Sequence, residues 1–151
     1  MPKLRLAMNK LRALLAIAAL LFPVLCFSQS REDVRLDSCV QEMSGRCPID
    51  QGKGWVINSI EAKGDTVAVE LLTPALLNGF LSMLMGDGVN VKRLWLGELM
   101  GYGDSWKQMF ELMSENGRSL LFTTRAQGSR KQYSLVMSQE EIGTILATSS
   151  K

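Results

Sequence analysis

The stretch from Trp106 to Leu146 decides the fold, and it reads WKQMFELMSENG (106–117), RSLLFTTRAQGSRKQYSLVMS (118–138) and QEEIGTIL (139–146). In the first and third parts, apolar residues recur three and four positions apart, which predicts amphipathic helices. The middle part alternates apolar and polar residues, as a strand with one covered face does. The predicted order is therefore helix, hairpin, helix.

Local signals mark the ends of these elements. Asn116-Gly117 ends the first helix, and the hairpin turns between Ala126 and Ser129. Ser138 with Glu141 three residues later is the pattern of a capping box, which predicts that the last helix begins there. The apolar face of the first helix is Trp106, Met109, Phe110 and Met113, that of the second strand Tyr133, Leu135 and Met137, and that of the last helix Ile142, Ile145 and Leu146.

A similar order of elements is predicted between residues 40 and 84. Two runs rich in β-branched and aromatic residues, 55–60 and 66–72, form a hairpin, and Thr73-Pro74 then favours a helix start. We therefore expect a compact two-layer α+β domain with antiparallel strands, in which 40–84 and 106–146 are two weakly similar helix-hairpin-helix units. The face of the helix after Thr73 would be Leu76, Leu77, Phe80, Leu81 and Leu84.

Other segments are less regular. A short helix is predicted from about Asp37 to Ser44, and residues 48–54 have the composition of a loop. Residues 89–100 fit a helix, although the run VNVKRLWL within them would also suit a strand.

The first 28 residues have the pattern of a signal peptide. Four basic residues precede an apolar run from Ala13 to Phe27, which is shorter than the roughly 20 residues of a membrane-spanning helix. Cleavage after Ser28 would leave a single domain, 29–151, with no integral membrane span, in the periplasm or outside the cell. Two alternatives stay open: Cys26 as a lipid-bearing amino terminus, and an uncleaved anchor.

Removal of this segment reverses the sign of the net charge. Four of the 17 Lys and Arg residues precede Gln29, whereas all 15 Asp and Glu residues follow it, which leaves a net charge of −2. A mildly acidic chain without a clustered basic segment has no electrostatic footprint for nucleic acid.

Cys39 and Cys47 would remain after cleavage, and in an oxidising compartment they are expected to form a disulfide. They cannot pair within one continuous helix, where eight residues rise about 12 Å. Ser44-Gly45 would end the helix and let Cys47 turn back toward Cys39. Two free thiols are the alternative.

The chain has no histidine, which removes the commonest general base and the commonest zinc ligand. We predict no metal site and no cofactor. Carboxylates could still act on a carbohydrate-type substrate, and Glu111 with Glu115, or Asp87, Glu98 and Asp104 near glycine-rich turns, are the candidates. Met83 and Met85, beside Gly86, are the methionines that could bind Cu(I).

The candidate binding surface consists of Trp95, Tyr102 and Asp104, because aromatic side chains near glycine-rich turns often contact partners. The first functional hypothesis is an exported, non-catalytic domain that binds another envelope protein, as an inhibitor or immunity factor, or that associates with itself. The alternative is a histidine-free enzyme that uses carboxylates. A cleft with two inward carboxylates would favour the enzyme.

Overall fold

The structure is a computed structural model that describes residues 31–86 and 88–150. The predicted signal peptide and Cys26 lie outside these residues, as does Asp87. The helices are α1 (Arg31–Gly45), α2 (Leu81–Leu84), α3 (Val89–Met100), α4 (Asp104–Glu115) and α5 (Gln139–Ser149), with a short 3₁₀ helix at Ala75–Leu77. The strands are β1 (Ile49–Gly52), β2 (Trp55–Lys63), β3 (Thr66–Thr73), β4 (Ser119–Ala126) and β5 (Tyr133–Met137).

In the described part of the chain the strands form one five-stranded sheet in the order β1-β2-β3-β4-β5. The two predicted hairpins are present and antiparallel, so the α+β class is confirmed. The hairpins are joined by β3 and β4, which pair in parallel with Thr66 opposite Ser119 and Thr73 opposite Ala126. Parallel neighbours need a crossover connection, and residues 74–118 supply it.

The core lies between the helices and one face of the sheet. Both central strands have alternating burial: Val67, Val69 and Leu71 are buried on β3, as are Leu120 and Phe122 on β4. The predicted stripe of α4 is buried in full, and Ser138 and Glu141 form the predicted capping box of α5. Strong local periodicity therefore predicted these elements correctly.

The segment after β3 differs from the prediction. Thr73 is the last residue of β3 rather than a helix cap, and the continuous helix predicted from Pro74 to Leu84 is replaced by the 3₁₀ helix and the single turn of α2. Asn78-Gly79, which favours a break, separates the two turns. Of the predicted apolar face Leu81 is buried, whereas Leu76 and Phe80 are exposed.

The amino-terminal part also differs. α1 extends back as far as Arg31, the first described residue, rather than only to Asp37, and Ile49–Gly52 is a short strand inside the predicted loop. Because the helix expected at the end of unit 40–84 is not continuous, the two halves differ at that point, and the internal repeat stays a prediction.

The predicted disulfide is absent, because the described Cys39 and Cys47 are both free thiols. α1 does end at Gly45, but Cys47 turns back only as far as Met43, where its Sγ lies 3.5 Å from the carbonyl oxygen. Cys39 is one helical turn further back, with its Sγ 4.0 Å from the carbonyl oxygen of Ser105. Burial raises the pKa of both thiols.

Candidate protein-binding site

Trp95, the first residue of the predicted binding surface, belongs to the core. Its side chain is 2% exposed, its indole Nε1 donates a hydrogen bond to the carbonyl oxygen of Leu84 at 2.8 Å, and its ring centroid lies 5.0 Å from that of Phe122. Trp95 therefore fixes α3 against the sheet and is not available to a partner.

Tyr102 and Asp104 do not complete a shared surface with Trp95. Tyr102 is half-buried, and its hydroxyl donates to Glu98 Oε1 at 3.0 Å. Burial, and then this hydrogen bond, raise the pKa of Tyr102. Tyr102 lines a cavity of about 130 Å³ with Met43 and Trp106. Asp104 is exposed at the first position of α4.

The candidate catalytic carboxylates are dispersed. Glu111 and Glu115 are exposed, and Glu111 Oε1 lies 3.9 Å from Lys107 Nζ. The carboxylate of Glu98 accepts the hydrogen bond from the Tyr102 hydroxyl. In the part of the chain that the structure describes, no two of the candidate carboxylates face each other across a cleft.

Residues 31–86 and 88–150 contain no cluster of three His, Cys, Asp or Glu side chains suited to a metal ion. Met83 is 70% exposed, but the neighbouring Met85 is half-buried. Over the same residues, we find no helix of sufficient length and hydrophobicity to span a membrane.

Two cavities share Lys92 in their lining. One, of about 240 Å³, lies between α3 and α5, and the other, of about 260 Å³, lies between the α2–α3 turn and β5. We call this pair the β5 groove. Its lining residues are Val89, Lys92, Glu140, Glu141, Thr144 and Ile145 in the first cavity, and Met85, Gly86, Lys92, Ser134, Leu135 and Val136 in the second.

The charges in the β5 groove are largely compensated. Lys92 Nζ donates to Glu141 Oε1 at 2.6 Å, and the other carboxylate oxygen of Glu141 accepts from the backbone N–H of Ser138 at 2.8 Å. Lys92 first, and then the Ser138 backbone, lower the pKa of Glu141. Glu141 is therefore held as an anion that anchors α5, and it is a poor proton donor.

β5 is an edge strand without the usual protection. The strand YSLVM has no charge and no proline, and Val136 is 56% exposed. Among the described residues, no backbone hydrogen bond joins residues 133–137 to a strand other than β4. Natural sheets usually protect an exposed edge with a charge, a proline, a bulge or a very short strand.

The opposite edge has this protection along β1, which pairs with 55–57 of β2, and the uncovered end of β2 carries the ion pair of Glu61 with Lys63. β1 is four residues long, includes Asp50, and its register with β2 shifts between Asp50 and Gly52. The contrast marks β5 as the edge that can accept another strand. Sequence alternation did place Val136 on the face opposite Leu135, but it could not show that β5 lies at the edge.

Comparisons with known proteins give likenesses of structure alone. No protein family model matches the chain, and no curated protein matches it. The type II secretion system pilotin AspS from Vibrio cholerae has a TM-score of 0.49 and 13% identity over 78% of this chain and 97% of that one. The pilotin EpsS from Vibrio vulnificus has a TM-score of 0.47 and 7% identity over 74% and 92%. A protein from Pseudomonas aeruginosa that is described as secreted has a TM-score of 0.46 and 11% identity over 76% and 99%.

Proposed function

We propose that this chain is an exported, non-catalytic binding protein of the cell envelope, and that a segment of its partner protein adds to the sheet beside β5. The observation that carries the proposal is the unprotected edge of β5, bordered by the β5 groove. In strand addition, main-chain hydrogen bonds provide affinity, and pockets for alternate side chains provide specificity.

The β5 groove favours a partner segment of low charge. Lys92 and Glu141 already neutralise each other, while Val89, Leu135 and Val136 offer apolar contacts along the rim. An extended segment with alternating apolar residues would bury these side chains and pair its backbone with β5. An acidic segment would lose hydration in the groove without gaining a counter-charge, because Lys92 is already paired with Glu141.

Substitution of Val136 tests the site. Val136→Lys places a charge on the edge strand, so we expect the affinity for the partner to fall by at least about tenfold. Val136→Thr keeps a β-branched side chain and should retain binding. Val34→Lys is the matched control, because Val34 is 51% exposed on α1 and lies outside the groove residues.

The measurement begins with partners captured from an envelope extract on the native protein and on the three variants. Hydrogen exchange of the complex with an identified partner then shows which amides become protected. Protection of residues 133–137, with binding lost in Val136→Lys alone, supports strand addition. Binding unaffected by Val136→Lys would contradict it, and a concentration-dependent dimer that Val136→Lys abolishes would replace the partner with a second copy of this chain.

Export is tested separately. Amino-terminal sequencing of the native protein should give Gln29 as the first residue, in the periplasmic or secreted fraction. A cytosolic protein that still begins at Met1 would contradict an envelope function without bearing on the β5 edge. Labelling with a lipid precursor distinguishes cleavage after Ser28 from lipidation of Cys26, because only a protein with a lipidated Cys26 would take up the label.

A further inference from the structure

Three large apolar side chains project from the segment between β3 and α3. Leu76 is 76% exposed, Phe80 55% and Met83 70%. Phe80 follows Leu76 by four positions, and Met83 follows Phe80 by three. They lie on two consecutive helical turns: in the first, Leu77 N donates to Pro74 O, and in the second, Met83 N donates to Phe80 O. We call these three residues the apolar ridge.

The apolar ridge lies outside the β5 groove. Its side chains are more than half exposed, and none of them lines either cavity of that groove. A partner helix would need a groove to enter, whereas side chains that project from a surface can themselves enter a soft apolar phase. The ridge therefore has the shape of an inserting element.

Basic side chains lie at the same end of the sheet as the start of this segment. The Lys53-Gly54 turn contacts it, because a β-carbon on Gly54 would lie 3.3 Å from Pro74. The β4–β5 connection also reaches it: Gln127 N donates to Thr73 O at 2.9 Å, and Gln127 Nε2 donates to Gly54 O at 2.7 Å.

These two turns contribute three exposed cations, Lys53, Arg130 and Lys131, to the end of the sheet. No described residue forms an ion pair with any of them, although Lys131 Nζ lies 5.3 Å from the centroid of the Tyr133 ring. One acidic residue, Asp50, lies beside the first turn, where its carboxylate accepts from Gly52 N at 2.8 Å. The segment 74–86 itself carries no charge. The basic cluster was not evident in the sequence, because its members come from two turns more than seventy residues apart along a chain that is otherwise mildly acidic.

From this charge complementarity we propose that the apolar ridge and the three cations form an interface with an anionic phospholipid bilayer. Leu76, Phe80 and Met83 would enter the boundary between headgroups and acyl chains, while the cations contact lipid phosphates. The arrangement matches the surface of an anionic membrane, which is negative at the headgroups and apolar immediately below them. This contact is independent of strand addition at β5.

Sedimentation with vesicles tests the proposal. The probe is phosphatidylcholine vesicles with a quarter of the lipid replaced by phosphatidylglycerol, compared with pure phosphatidylcholine, at low and high salt. We expect binding to the mixed vesicles alone and weaker binding at high salt, because salt screens the headgroup attraction. If the native protein stays in the supernatant with both kinds of vesicle, the proposal is overturned, and a protein partner becomes the alternative ligand of the ridge.

Two triple variants separate the apolar and electrostatic contributions. Leu76→Ser with Phe80→Ser and Met83→Ser should lower vesicle affinity by on the order of 100-fold. Lys53→Gln with Arg130→Gln and Lys131→Gln should lower it by a similar factor, of order 100-fold. Equal binding by either triple variant and the native protein would contradict the proposed interface.

Control variants carry the same kinds of change elsewhere. Arg35→Gln with Lys63→Gln and Lys107→Gln changes the net charge equally, and all three residues are exposed. Val34→Ser with Val136→Ser removes exposed apolar side chains outside the ridge. Both controls, and Val136→Lys, should bind vesicles as the native protein does. If the ridge variant fails to fold, hydrogen exchange of the native protein on vesicles decides, with protection of residues 74–86 expected and its absence counting against the proposal.

Discussion

Two buried threonines, Thr73 on β3 and Thr124 on the adjacent β4, differ in whether their hydroxyl groups have hydrogen-bond partners. Thr124 Oγ1 donates to the carbonyl oxygen of Leu71 at 2.8 Å. Thr73 Oγ1 is equally buried, but no described residue provides it with a hydrogen-bond partner. A buried hydroxyl without a partner costs free energy that a methyl group of similar size would not.

We therefore expect Thr73→Val to raise the free energy of unfolding by about 1 kcal/mol, and Thr124→Val to lower it by about 1 kcal/mol. Urea denaturation of the two variants and the native protein measures both values. Equal destabilisation by the two substitutions would show that the Thr73 hydroxyl also makes a favourable contact.

Thr73 also shows why some residues could not be placed from the sequence. Thr followed by Pro favours both a helix cap and the end of a strand, so local preference alone does not decide. The structure has Thr73 at the end of β3, with its carbonyl oxygen accepting from Gln127 N. This bond comes from the other hairpin, and no local pattern contains it.

At the scale of elements, prediction succeeded where the signal was local and failed where tertiary contacts decided. The stripe of α4 and the capping box of α5 are local, and both are present. The stripe expected from Leu76 to Leu84 was equally regular, but Leu81 is the one fully buried residue of the described segment 74–86, and only Leu84 and Met85 also pack against the core. The Asn78-Gly79 break divides the predicted helix into two short turns.

The contact between α3 and α5 gives a prediction about pH. The ion pair with Lys92 lowers the pKa of Glu141 in the folded protein, so its contribution is present above the unfolded pKa and is lost as pH falls through the folded value. Because the Glu141 side chain is 37% exposed and water screens the pair, Glu141→Gln should lower stability by about 0.5 kcal/mol at neutral pH, and by progressively less as the solution is acidified.

Thermal denaturation of Glu141→Gln between neutral pH and about pH 3 tests this dependence. The control is Glu140→Gln, since Glu140 is exposed and makes no ion pair with any described residue. The difference from the native protein should narrow on acidification for Glu141→Gln, and a constant difference would contradict an ionised Glu141 as its cause.

At the scale of the molecule, the sequence predicted both hairpins but not the way in which they join. Alternation along β3 and β4 indicates which side chains face the core, whereas strand order depends on a crossover that no local pattern specifies. The same limit applied to the candidate site. Trp95 and Tyr102 were chosen for residue type, whereas Val136 is proposed because β5 lies at the edge of the sheet.

The strand order predicts a hierarchy of hydrogen exchange. β3 and β4 have paired neighbours on both sides, so their amides should exchange most slowly and through global unfolding. Amides on the outer side of β5 should exchange faster by on the order of 100-fold or more. Native-state exchange measured by nuclear magnetic resonance tests this order, and β5 amides as slow as those of β3 would contradict an open edge.

The parallel pairing of β3 with β4 also has a consequence for biosynthesis. A ribosome completes the first hairpin well before residues 119–126, so Val67, Val69 and Leu71 lack their neighbouring strand while the crossover is still being made. An incomplete core with exposed apolar side chains is prone to aggregate. We therefore expect nascent chains of this protein to aggregate most readily before the fourth strand has been translated.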